Sequence, residues 1–83
     1  MDLAADFEFA KEDFGSNAAV VLRYVAALNP EATRVEFVAA AVAAGYAANS
    51  SANRFRESRA FDCETYGFTQ DAEGRLVESS QGE

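Results

Sequence analysis

Histidine is absent from the 83-residue chain, and cysteine occurs once, as Cys63. Without imidazole there is no Cys2His2 zinc finger, no Ser-His triad and no histidine acid–base pair. A lone thiol closes no intramolecular disulfide, so the chain is expected to work in the reducing cytoplasm. No apolar run approaches the roughly 20 residues that cross a bilayer, and the opening MDLAADFEFAKEDF has neither a basic n-region nor an apolar h-region. Neither membrane insertion nor export is expected. A Gly-rich phosphate loop, carboxylates at a paired catalytic spacing and an activated nucleophile are also missing, so no enzymatic activity, cofactor or metal is expected. Cys63 reads as a strand residue rather than a reactive thiol.

Positive charge is the next scarcity: 7 Lys and Arg stand against 14 Asp and Glu, for a net charge of −7. The balance is uneven. Residues 1–30 set Asp2, Asp6, Glu8, Glu12 and Asp13 against Lys11 and Arg23, for −3. Residues 31–60 carry Arg34, Arg54, Arg56 and Arg59 against Glu31, Glu36 and Glu57, for +1. Residues 61–83 return to −5, six acids against Arg75. Duplex DNA repels an acidic body and attracts a basic face, so only the middle third is suited to approach phosphates. A chain this short forms one domain with a core near the lower limit of independent stability, and a homodimer would add to it.

Residues 1–15 read as an acidic N-terminal arm in which the Phe7-Glu8-Phe9 alternation suits either a short strand or a loosely helical segment. Gly15 breaks it, and Ser16 or Asn17 caps a first helix with Ala18, Val21, Leu22, Val25 and Leu28 at helical spacing. Asn29-Pro30 stops that helix. Thr33 and Glu36 form a capping box for a second helix, whose stripe is predicted at Val35, Val38, Ala41 and Val42. Gly45 ends it in a left-handed conformation, with Tyr46 as the following apolar contact. Asn49, Ser50 and Ser51 are candidate caps for a third helix over about 50–59, held inward by Ala52 and Phe55. Phe61–Thr69 and Arg75–Glu78 are β-prone segments around the turn 70–74, which predicts a hairpin; 79–83 is expected to be a disordered tail.

The run T-R-x-E-F-V-A-A-A-V-A-A-G-Y followed by N-S-S-A-N-R-F-R resembles small winged helix-turn-helix proteins of the kind carried by plasmids and phages. The resemblance covers about half the chain, and its turn from Gly45 to Ala52 and Phe55 is one residue longer than in the compact repressor-type motif. It implies an α+β fold: a three-helix winged helix-turn-helix over 16–78 with the C-terminal hairpin as wing, binding double-stranded DNA through the third helix. At a 100° step, Ser50, Asn53, Arg54 and Glu57 point outward, with Ser51 on the flank. Arg54 suits guanine and Asn53 adenine, while Ser50 or Ser51 suits phosphate at the helix N-terminus, beside Asn49. Arg34 is a further phosphate candidate, and Arg56 and Arg59, nearer the buried side, would snorkel toward phosphate or pair with wing acids.

A second reading stays open. Glu57 on the outward face and the acids expected in the wing, Asp62, Glu64, Asp71 and Glu73, would be repelled by DNA phosphates. In composition the chain is similar to acidic phage-encoded inhibitors, including anti-CRISPR proteins and DNA mimics, which block a host protein at its basic nucleic-acid-binding surface. Under that reading Asp2, Asp6, Glu8, Glu12, Asp13, Asp62, Glu64, Asp71, Glu73 and Glu78 stand in for phosphates.

Overall fold

Four helices precede a two-stranded hairpin: α1 (Leu3–Phe14), α2 (Ala18–Leu28), α3 (Arg34–Ala43), α4 (Ala48–Tyr66), β1 (Phe68–Gln70) and β2 (Leu76–Glu78). The computed structural model describes residues 2–78, without the side chains of Asp62, Glu64 and Thr65. The tail expected at 79–83 lies outside the described residues. The α+β class and the C-terminal antiparallel hairpin agree with expectation, but there are four helices rather than three. The added one is the acidic segment, which takes the helical rather than the strand alternative and does so as a regular, packed helix. Asp2 caps it by accepting from the Ala5 N–H at 3.1 Å, and Leu3, Phe7 and Ala10 are buried at i, i+4 and i+7.

Asn17 caps α2, and Val21, Leu22, Val25 and Ala26 turn inward; Ala18 and Leu28 of the predicted stripe are exposed. At the start of α3 the Thr33 hydroxyl accepts from the Glu36 N–H at 3.1 Å while the Glu36 carboxylate accepts from the Thr33 N–H at 2.9 Å. The donated backbone N–H of Thr33 holds the Glu36 carboxyl below the usual carboxylate range. Its stabilising effect is therefore present above the unfolded-state pKa and is lost as pH falls through the lowered folded-state value. The predicted stripe on α3 holds for half of its members, Ala41, which is buried, and Val38, which packs against the core, and fails for Val35 and Val42. Phe37 and Ala41 are buried, whereas Val35 is 70% exposed and Val42 48%. Alanines at 39–41, 43 and 44 leave little polar contrast around the helix, so periodicity alone does not fix which face is inward.

Gly45 breaks the chain between α3 and α4 as expected, with φ at +104°. Its N–H donates to the Val42 carbonyl and that of Tyr46 to Ala41, both at 3.0 Å, which together make a Schellman closure. Beyond it α4 runs to Tyr66 rather than to 59. No glycine or proline lies between Ala48 and Tyr66, so a helix once nucleated propagates to Gly67, which takes the left-handed cap at φ +75°. Asp62, Cys63 and Glu64 consequently sit on a helix and not in a strand. The β1 strand is reduced to three residues, paired with β2 in the register Phe68↔Glu78, Thr69↔Val77, Gln70↔Leu76.

The core is threaded by aromatic rings from three helices. Phe7 lies 5.5 Å from Phe37, and Phe37 lies 5.3 Å from Phe55, centroid to centroid. The hairpin turn closes against this core. The Asp71 carboxylate accepts from the N–H groups of Glu73 and Arg75, and the Glu73 carbonyl accepts from the Arg34 N–H at 3.0 Å, satisfying an end donor of α3. Gly74 is buried at φ +86°, where an added Cβ would stand 3.1 Å from Phe55 Cε2 and 3.3 Å from Arg34 Cβ. Gly74→Ala is expected to cost about 2 kcal/mol from the left-handed backbone and the crowding together, read as a lower midpoint in urea with an unchanged m-value.

Candidate binding surfaces

The middle-third cluster divides when placed on the fold. Arg34 opens α3 and Asn49 and Ser50 lie in the first turn of α4; all three are exposed, as are Asn53 and Arg56. Arg34 and Asn49 border one shallow cleft of about 440 Å³ between α3 and α4, floored by Val38, Ala39 and Ala52. Arg56 donates to the Asn53 side-chain carbonyl at 3.2 Å. The expected caps are not used, since the residue before α4 is Ala47 and no side chain closes that end. Ser51 is fully buried, its hydroxyl donating to the Ala47 carbonyl at 2.7 Å, and is therefore not a phosphate contact.

Arg54 is also less available than helical angle implies. Its side chain is 28% exposed and donates to Glu57 at 2.8 Å, and Arg23 of α2 donates to the other oxygen of the same carboxylate at 3.2 Å. Glu57, which looked like an intruder on a DNA-facing surface, is one link between α2 and α4. Exposed pairs of this kind contribute little stability singly, but they neutralise charge where it stands.

Arg59 departs furthest from expectation. It is completely buried rather than snorkelling outward. Its guanidinium donates to the carbonyls of Ala26 and Asn29 at 2.8 Å and of Ala32 at 3.2 Å, and stacks 4.2 Å from the Phe55 ring centroid. A cation so placed complements the negative end of α2. Lys11 does the same for α3, donating to the Ala44 carbonyl at 2.6 Å above the Tyr46 ring. Arg75 lies 3.6 Å from Glu73. Among the described residues only Arg34 and Arg56 carry positive charge with neither a carboxylate within ion-pair distance nor a helix-end carbonyl.

The carboxylates are disposed differently. Asp6 is half-buried and accepts from the Asn29 side-chain amide at 2.9 Å, and Asp71 holds the hairpin turn. Glu8, Glu12 and Asp13 are exposed on α1 around Phe9, itself 68% exposed. Glu8, Glu12 and Asp13 were among the phosphate stand-ins expected from sequence, but their gathering on one face around Phe9 was not. Its signal is the Leu3-Phe7-Ala10 spacing, which sends residues 8, 9, 12 and 13 outward together. Glu73 and Glu78 are exposed on the hairpin, while Asp62 and Glu64 have left it for α4.

Among the described residues no three His, Cys, Asp or Glu side chains are grouped as for a metal ion, and no helix is long and apolar enough to cross a membrane. Comparison of the chain with protein-family models, with curated proteins and with solved structures finds no match.

Proposed function

We propose that the protein acts by binding rather than catalysis, and that its acidic surface occupies the basic nucleic-acid-binding surface of another protein, as an acidic inhibitor of the anti-CRISPR-like or DNA-mimic kind does. One observation carries this reading: half of the positive charge that made the middle third attractive for DNA is engaged within the fold, Arg54 with Glu57 and Arg59 with buried carbonyls. The chain as a whole carries −7, and the fully buried Arg59 presents no positive charge at the surface. A basic partner gains from that field over distances of about a Debye length, roughly 8 Å at physiological salt. A duplex is repelled by it.

The DNA-binding reading retains one favourable observation, the exposure of Arg34, Asn49, Ser50, Asn53 and Arg56 on the α3–α4 face, with a glycine turn between the two helices. There Asn53 would read adenine while Arg34 and Arg56 held phosphates. The two readings part in one experiment that combines capture of proteins from a host lysate with salt-titrated binding to mixed duplex fragments. On the inhibitor reading, a nucleic-acid-binding protein is captured and is released by excess duplex or heparin, which compete for the same basic surface. Duplex itself binds no tighter than about 10 µM at 50 mM salt, within the range of non-specific contact. Submicromolar duplex binding that Arg34→Ala and Arg56→Ala weaken, with each substitution flattening the salt slope by about 1, would refute the inhibitor reading.

A further inference from the structure

Away from the α1 acids and the α3–α4 cleft, α2, the C-terminal half of α4 and the hairpin leave large apolar side chains uncovered. Phe61 is 62% exposed, Tyr66 65%, Leu28 50% and Tyr24 40%. Two clefts lie among them: one of about 450 Å³ lined by Pro30, Phe68 and Leu76, the other of about 510 Å³ lined by Phe61 and Ser58. Ala27 and Tyr66 border both.

We infer that this face binds a second copy of the same chain. Twofold association requires one patch to carry both projections and recesses, because every contact is made twice with the roles exchanged. Phe61 and Tyr66 are the projections and the two clefts are the recesses. The area is of the right order. At roughly 200 Å² per aromatic side chain, the exposed parts of Tyr24, Phe61 and Tyr66 with Leu28 come to about 400 Å². A stable pair needs roughly 800 Å² from each copy, about 60% of it apolar.

Charge also favours a second copy over the basic partner proposed above. The described charged side chains lining the clefts are Arg23 and Glu57, paired with each other, and Glu31, for −1 of the chain's −7. Among the described side chains a basic protein gains less from this face than from α1, and two acidic chains repel less across it than across α1, where Asp6, Glu8, Glu12 and Asp13 stand against Lys11. Glu31 and Arg23 lie on different clefts, so twofold pairing offers one charge of each sign to its counterpart.

Sedimentation equilibrium of the full chain from 1 to 200 µM tests the inference. The expected result is twice the chain mass, with association strengthened at least threefold between 50 and 500 mM NaCl, because salt screens the repulsion between two acidic bodies. Binding to a basic protein responds to salt with the opposite sign, so failure of one proposal is distinguishable from failure of the other. Phe61→Glu and Tyr66→Glu are expected to raise the dimer Kd at least tenfold with an unchanged circular dichroism spectrum. Should either variant unfold, Ala27→Cys in a Cys63→Ser background supplies the second measurement: it is expected to oxidise to a cross-linked dimer much faster than Ser16→Cys in the same background. A monomer at 200 µM and 500 mM salt, a dimer indifferent to both glutamate variants, or equal cross-linking from positions 16 and 27 overturns the inference. So does a monomer in which Phe61→Glu abolishes capture of a nucleic-acid-binding protein, which would give the face to that partner.

Discussion

Arg59→Met is expected to lower Tm by roughly 12–24 °C, the equivalent of about 3 kcal/mol in a domain of this size. Methionine retains much of the volume and flexibility of the arginine stem, so the loss isolates the guanidinium. Three buried carbonyls lose a charged donor, and hydrogen bonds to charged groups are worth about 1.5–3 kcal/mol each when simply removed. The full sum is not expected. The Ala26 carbonyl also accepts from Asn29 and the Asn29 carbonyl from Ala32, so both keep a backbone donor. Arg59→Lys is expected to recover less than half of the loss, since a compact ammonium neither spans the carbonyls as a planar fork nor stacks on Phe55. Circular dichroism melts of the two variants check the ranking. If Arg59 instead met phosphate, Arg59→Met would leave Tm unchanged and weaken duplex binding.

Burial of Arg59 shows why the reading of function from sequence and from structure diverge. Helical angle correctly put residue 59 near the buried side of its helix. What sequence spacing did not contain was its destination, because the carbonyls that receive it lie 27 to 33 positions earlier, at the end of α2 and in the turn after it. Local signals were legible where they are self-contained. Asn29-Pro30, the Thr33–Glu36 box and the Gly45 turn each act within about four residues, and each stands where expected. The phase of α3 and the length of α4 depended on tertiary packing or on the absence of a stop: Val38 and Ala41 were placed correctly but Val35, Val42 and the end of α4 were not. β-prone residues at 61–66 did not break α4, since propagation of an existing helix outweighs a weak strand preference. That lengthening also removed Asp62 and Glu64 from the hairpin, so the repulsive acidic wing invoked against DNA is smaller than expected. The stronger objection to DNA came from the internal engagement of the basic residues.

On α1 two substitutions are expected to separate fold from function. Phe7→Ala removes a fully buried ring that touches both Phe37 and Tyr46, and is expected to cost about 4 kcal/mol, as large-to-small changes of buried phenylalanine do. The triple change Glu8→Lys, Glu12→Lys and Asp13→Lys shifts net charge from −7 to −1, since each reversal adds 2. It is expected to leave Tm unchanged or raise it. The like-charge pair at 8 and 12 (i, i+4) is repulsive in either sign and so cancels between wild type and variant, but positions 12 and 13 lie in the last turn of α1, where the helix dipole disfavours negative and favours positive charge. These carboxylates therefore oppose the stability of the helix that bears them, which is intelligible if their use lies outside the chain. Capture of a basic nucleic-acid-binding protein is expected to weaken roughly 100-fold or more in the triple variant, because like charges then face each other across the contact. Parallel melts and lysate capture decide the matter. A triple variant that melts with wild type and captures the same protein equally well would show α1 to be plain solvated surface, and would move the search for a contact to Glu73, Glu78 and the remaining acids.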